Sequence, residues 1–196
     1  MDTNNITKTI VEIFTSIGAN LPENIKYSIS FSVHNDPSPN KHIAFLIDHT
    51  TGNIIMYDFN IYYNTNKFPY SEHAEIRLIN KYNKAKNNNR VLKKIENNKK
   101  ILLVVKLSKT GITGNSKPCL ECAKYIKHYH SEMNIKQIFF TISKDEIFNI
   151  LTTKINLNEF RYSKGYKKIT FSIKNDTDIT NKKKVRRNHS KDKNKY

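Results

Sequence analysis

Ile101-Leu102-Leu103-Val104-Val105-Lys106-Leu107 is the stretch on which the reading of the fold turns. Its unbroken part, Ile101 to Val105, is strand-sized and far short of the roughly 18–20 apolar residues that a membrane span needs. A run this short with no polar alternation fits a strand buried on both faces, which requires helices above and below it. Downstream, 118–133 is helical in pattern and Ile135 to Ile142 reads as a second buried strand. Residues 145–155 then suggest one more helix, and 169–173 a last strand. Upstream, Ile6, Ile10, Ile13, Phe14 and Ile17 recur at helical spacing before Gly18, a natural stop. Ile29, Phe31 and Val33 alternate with Ser28, Ser30 and Ser32, the pattern of a half-buried strand. His42 to Asp48 and Ile54 to Tyr62 read as two strands joined by a Thr51-Gly52-Asn53 turn. A helix is expected over 71–84, with Ile76, Ile79 and Tyr82 along one side. Helices set between buried strands give an α/β fold, a sandwich around one mixed sheet.

Composition narrows the function classes. The chain has 196 residues and a formal net charge of +17. A length of this order suits one domain with a tail, here 1–178 followed by a basic tail, 179–196, with too few apolar residues to bury a core. The charge is uneven. Residues 81–100 and 181–196 each hold eight basic groups and one acid, so the remaining 160 residues carry only +3. Residues 85–100 read as a polar insertion, partly helical. Lys, Asn and Ile dominate, and all three have A/T-rich codons; this bias points to an AT-rich genome, such as that of a large DNA virus, and discounts part of the charge. The tail is either a solvated segment of a Lys-rich chain or an electrostatic nucleic-acid or nuclear-targeting segment through Lys182 to Arg187. A secretory signal is not expected, since no basic segment followed by an apolar stretch and a small-residue cleavage site is seen, and two cysteines exclude a disulfide scaffold. A cytoplasmic location is expected, with a nuclear one open and no membrane partner.

Both cysteines fall in one window, Pro118-Cys119-Leu120-Glu121-Cys122, at the start of a helix, and Glu72-His73-Ala74-Glu75 stands near the start of another. A lone C-x-x-C fits a redox pair or half of a structural zinc site. With His73 added, two thiolates on one helical turn and an imidazole from a neighbouring helix make three ligands. Three ligands leave a fourth tetrahedral position open, which is the mark of a catalytic zinc site. Zinc there lowers the pKa of a water toward about 7, and Glu75 is positioned to shuttle protons. A helix start favours ionised cysteines, and Pro118 suits a first helical position. His128 and His130 invite a zinc-finger reading, C-x-x-C-x5-H-x-H, but residues two apart on a helix face different ways; they read as exposed helix-end histidines.

The H-x-E and P-C-x-x-C pair resembles the signature of the zinc-dependent cytidine/deoxycytidylate deaminase superfamily. Pro118-Cys119-Leu120-Glu121-Cys122-Ala123-Lys124 is most similar to the deoxycytidylate form, and Ile135 to Phe140 matches the strand that follows it there. The resemblance covers about residues 42–143. It implies a three-layer α/β/α sandwich with a central mixed five-stranded sheet, Zn²⁺ held by His73, Cys119 and Cys122, and Glu75 as catalytic acid/base. It places substrate contacts at Ala74, Pro118 and Asn64, with Tyr62, Tyr63, Phe68 and Tyr70 near them. The 42 residues between Glu75 and Pro118 exceed the usual spacing, and the excess falls on 85–100. The implied function is hydrolytic deamination of a cytosine-containing nucleotide or nucleoside to the uracil product and ammonia, by a monomer or a homo-oligomer. One alternative is deamination of a base in single-stranded DNA or RNA, with 81–100 and 181–196 holding phosphates. Another is a zinc-stabilised binding module without turnover.

Overall fold

A computed structural model describes residues 3–63, 70–143 and 146–161. Helix α1 (Thr3–Ser16) buries Ile6, Ile10, Ile13 and Phe14 on one face. It ends where Gly18 takes a left-handed φ of 67° and the Ala19 N–H returns to the Phe14 carbonyl at 2.9 Å, an exit that favours a residue without Cβ. Helix α2 (Glu23–Asn35) follows Pro22. This corrects the expected strand at 29–33. Ile25, Ile29 and Val33 lie four apart and cover the core, while Phe31, which a strand would bury with them, is exposed and stacks on Tyr27.

The sheet begins with β1 (Asn40–Asp48) antiparallel to β2 (Ile54–Phe59), turning through Gly52. The second expected strand breaks at Asn60, and its end becomes β3 (Ile61–Tyr63), paired with β4 (Tyr70–Glu72) in a separate two-stranded sheet. Helix α3 (Ala74–Lys86) therefore starts later than residue 71, and α4 (Arg90–Lys94) lies inside the polar insertion. The deciding stretch forms β5 (Lys100–Ser108), buried from Lys100 through Val105. It pairs with the two-residue β6 (Thr113–Gly114), and α5 (Leu120–Tyr129) carries the chain over to β7 (Ile135–Ser143), parallel to β5. Residues 146–151 form β8 (Glu146–Leu151), antiparallel to β7, followed by a 3-10 turn at Thr152–Lys154.

That strand corrects the expected helix at 145–155. Ile147 and Ile150, which a helix would bring to one side, pack on opposite faces of the sheet. Residue 145 and the expected strand at 169–173 lie outside the described residues, as does the tail.

The main path through the sheet is β2-β1-β5-β7-β8, with β6 hydrogen-bonded beside it on β5. Alternate residues of the central strands serve two cores. Ile43, Phe45, Ile47, Leu103 and Val105 pack under α1 and α2. Ala44, Leu46, Leu102 and Val104 pack under α3 and α5. The fold is thus an α/β/α sandwich around a mixed sheet. Among the described residues no helix is long and apolar enough to cross a membrane.

Candidate metal centre

The two motifs meet where α3 and α5 begin. His73 is the extended residue just before α3, and Cys119 holds the same position before α5, with Cys122 in that helix's first turn. The approach to Cys119 is pinned to the sheet by one buried hydroxyl. Ser116 Oγ donates to the Val104 carbonyl at 2.7 Å and accepts the Thr141 N–H at 2.8 Å, while the Ser116 N–H donates to the Thr141 carbonyl at 2.8 Å. The Leu120 N–H, one of those a helix start leaves unpaired, donates to the Arg161 carbonyl at 2.7 Å. Pro118 consequently stands before the residue that caps α5. This corrects the expectation of a first helical position; the residue is buried.

His73 Nδ1 lies 3.2 Å from Cys122 Sγ and 3.5 Å from Cys119 Sγ, and the three donor atoms all fall within 4.8 Å of one another. Bond lengths of about 2.3 Å for Zn–S and about 2.0–2.1 Å for Zn–N put tetrahedral N and S ligands about 3.6 Å apart. The cluster can hold a metal ion, and its dimensions and donor set suit zinc. Among the described residues no fourth donor joins it.

The electrostatics follow from the packing. Cys122, fully buried, donates its S–H to Cys119, and this bond, against the cost of burial and with help from His73, holds the Cys119 thiol down at about 4. The same bond and the burial push Cys122 up. The hydrogen bond to Cys119 raises His73 above its usual value despite desolvation. Cys119 is therefore the thiol that ionises first, and a metal bound here would have to displace the proton of Cys122.

Glu75 sits beside this cluster, only 3% exposed. Burial pushes its carboxyl up, which the positive charge of His73 partly offsets. Its Oε2 is buried without a hydrogen-bond partner among the described residues. A buried carboxyl oxygen with no partner is costly in a folded chain and calls for an explanation at this position.

Of the other expected contacts, Ala74 and Pro118 flank the donors at the two helix starts, both buried. Asn64 and Phe68 lie outside the described residues. His128 and His130 sit at the far end of α5 from Cys119, where His128 is exposed and His130 Nδ1 is 2.8 Å from the Lys127 carbonyl oxygen. The segment 108–116 contributes Ser116 to the site, whereas Thr113 lines a cleft of about 180 Å³ beside Thr9, Glu12 and Glu146, on the α1 side of the sheet.

Sequence reasoning missed His42 and Lys106. They pair across β1 and β5, and by alternation both lie on the face of Ala44, Leu46, Leu102 and Val104, beneath α3 and α5. Burial, then the charges of Lys106 and His73, hold the His42 imidazole down at about 4. Strand parity alone carried the signal, once the metal cluster had fixed which face mattered. Comparison with protein-family models, with curated proteins and with solved structures finds no match to this chain.

Proposed function

We propose that the protein is a zinc-dependent hydrolytic deaminase of a cytosine-containing nucleotide or nucleoside, of the kind its H-A-E and P-C-x-x-C motifs resemble. The observation that carries this reading is the buried Glu75 carboxyl, whose Oε2 has no hydrogen-bond partner among the described residues, beside a three-donor cluster. Zinc, held by His73, Cys119 and Cys122, would supply activation of a water for attack on C4 of the ring. Glu75 then takes a proton from that water and delivers protons to the ring nitrogen and the departing amine. Water and cytosine become uracil and ammonia. Burial raises its pKa, which suits a group that must both hold and return a proton. Ala74 and Pro118, at the helix starts, supply rigid backbone against which the base and leaving group fit.

Two observations favour a small substrate over a polynucleotide. Lys86 is paired with Glu132 and Glu96, and Lys100 is enclosed by backbone carbonyls, so part of the 81–100 charge is already engaged within the fold.

The test is zinc content together with ammonia release over cytosine, adenine and guanine nucleosides, nucleotides and oligonucleotides. Glu75→Gln should retain zinc and lose about 10²–10⁴-fold in turnover. Turnover that survives in E75Q would remove Glu75 from the mechanism. Purified protein that takes up no zinc would refute the centre itself.

A further inference from the structure

His73 is carried by a single residue between two elements. Strand β4 ends at Glu72, paired with Ile61, and α3 begins at Ala74 with no side-chain cap from the histidine. The imidazole Nδ1 faces the two sulfurs, but its Nε2 has no hydrogen bond among the described residues. A metal-binding histidine is usually oriented by a partner on its other ring nitrogen. Here that orientation falls to the backbone on either side of residue 73.

Arg77 spans this junction. Its Nη1 donates to Glu72 Oε2 at 3.2 Å, just before the histidine, and its backbone N–H donates to the His73 carbonyl at 3.1 Å, in the first turn of α3. Its Nη2 lies 3.4 Å from each carboxylate oxygen of Asp58 on β2. Tyr63, on β3, donates its hydroxyl to the same Glu72 oxygen at 3.4 Å. One turn further on, Lys81 Nζ donates to the Tyr57 carbonyl at 3.2 Å, a second tie between α3 and β2. The guanidinium fork thus joins β2, β4 and α3 around the one residue that supplies an imidazole. Its side chain is only 21% exposed and that of Asp58 only 14%, so salt screens the pair less than it would a surface one. Without the cation, Asp58 and Glu72 are left as neighbouring like charges, whose repulsion draws β4 away from β2 and moves His73 with it.

We propose that Arg77 is a positioning residue of the metal centre: by gripping Glu72 across His73 and anchoring both to Asp58, it holds the imidazole within bonding reach of an ion shared with Cys119 and Cys122. This rests on the metal-binding part of the deaminase reading and on nothing about its substrate. Arg77 touches neither the ion nor the reacting atoms; it acts through the backbone of residues 72 and 73.

The experiment measures zinc affinity of the full-length protein by competition with a chelator. Arg77→Met should weaken it by about ten- to a hundredfold, the scale on which residues behind a metal ligand act. R77K, which can meet one carboxylate but not fork between two, should recover part of that loss, and Glu72→Gln should weaken zinc in the same direction as R77M. Ile29→Ala is the control for general destabilisation. It opens the core on the opposite sheet face and, as a distant site, should leave zinc affinity within about twofold of the parent. The cobalt(II) forms give a second reading, because their visible bands report the donors around the ion: those of R77M should differ from the parent's, and those of I29A should match them. Parental affinity in R77M, or an equal loss in I29A, would overturn the positioning role and leave the metal centre standing. A parent that takes up no zinc would overturn both. If R77M does not fold, R77K and E72Q decide by the same criteria.

Discussion

Lys100 counts in the sequence as one more charge of a basic segment, yet it is fully buried. Its Nζ donates to the carbonyls of Ile95 at 2.9 Å, Glu96 at 2.7 Å and Asn98 at 2.9 Å, and lies 5.8 Å from the centre of the Tyr82 ring. Burial holds its pKa below the usual lysine value. The residue closes the loop after α4 and ties the polar insertion to the first residue of β5. Lys100→Met keeps the stem but strips three carbonyls of their donor, and should cost about 1–3 kcal/mol in denaturant unfolding. An unchanged midpoint would mean that water replaces the ammonium at no cost. Nothing local distinguishes Lys100 from Lys99 in the sequence. Only its parity with Leu102 and Val104 shows that it points inward, and that parity has meaning only after the strand's two faces are known. The His73, Cys119 and Cys122 cluster was legible for the opposite reason: metal chemistry restricts both residue type and spacing, and the fold brings these three donors together.

At the scale of elements, the misreadings share a cause. Period-2 and period-3.6 patterns are hard to separate over five or six residues, and the neighbour that breaks the tie is distant in sequence. In α2 the tie is broken by α1 and the sheet, which bury Ile29 and Val33 and leave Phe31 in solvent. In β8 it is broken by β7, whose free edge accepts the ladder from residues 146–151. The α2 assignment makes a sharp prediction. Ile29→Ala should destabilise by about 2–5 kcal/mol, and Phe31→Ala by less than about 0.5 kcal/mol. Comparable losses at both positions would instead favour a strand, where the two share a face. The β1–β2 hairpin was legible because its turn chemistry is local, and Asp48 adds to it a contact that was not. Burial alone would raise the Asp48 carboxyl, but hydrogen bonds from Asn98 Nδ2 and from the Thr50 and Thr51 N–H groups outweigh it and hold the pKa below the usual value. A carboxyl lowered on folding adds stability above its unfolded pKa, near 3.8, and loses it as pH falls through the lower, folded value. Asp48→Asn should therefore reduce stability at neutral pH, and the gap from the parent should shrink as acid unfolding is followed downward from about pH 4.

The whole molecule is held together from the sheet outward, and the motif-bearing helices are where that arrangement has least redundancy. Helices α3 and α5 lie against the same sheet face, and at or just before their first turns stand His73, Glu75, Cys119 and Cys122. In the protein without metal, this end is held by sulfur–imidazole contacts of 3.2 and 3.5 Å, with Glu75 Oε2 buried and unpaired among the described residues beside them. A metal ion would replace those weak contacts with bonds linking residues 73 and 119, which lie on separate helices and far apart in sequence. Because such an ion binds the folded chain and not the unfolded one, its effect on stability follows mass action: about 2.7 kcal/mol when free zinc is a hundredfold above its dissociation constant. For a domain of this size that corresponds to a rise in Tm of about 5–10 °C. Calorimetric melts of the purified protein with zinc, after chelation and after zinc is restored should show that difference reversibly. Cys119→Ala and Cys122→Ala should melt at one temperature whether or not zinc is present. Glu75→Gln, which removes no ligand, should keep the full zinc-dependent shift, so that loss of turnover and loss of metal are separated in two variants of the same site. A parent protein that melts identically under all three conditions would show that His73, Cys119 and Cys122, although close together, do not act as a metal centre.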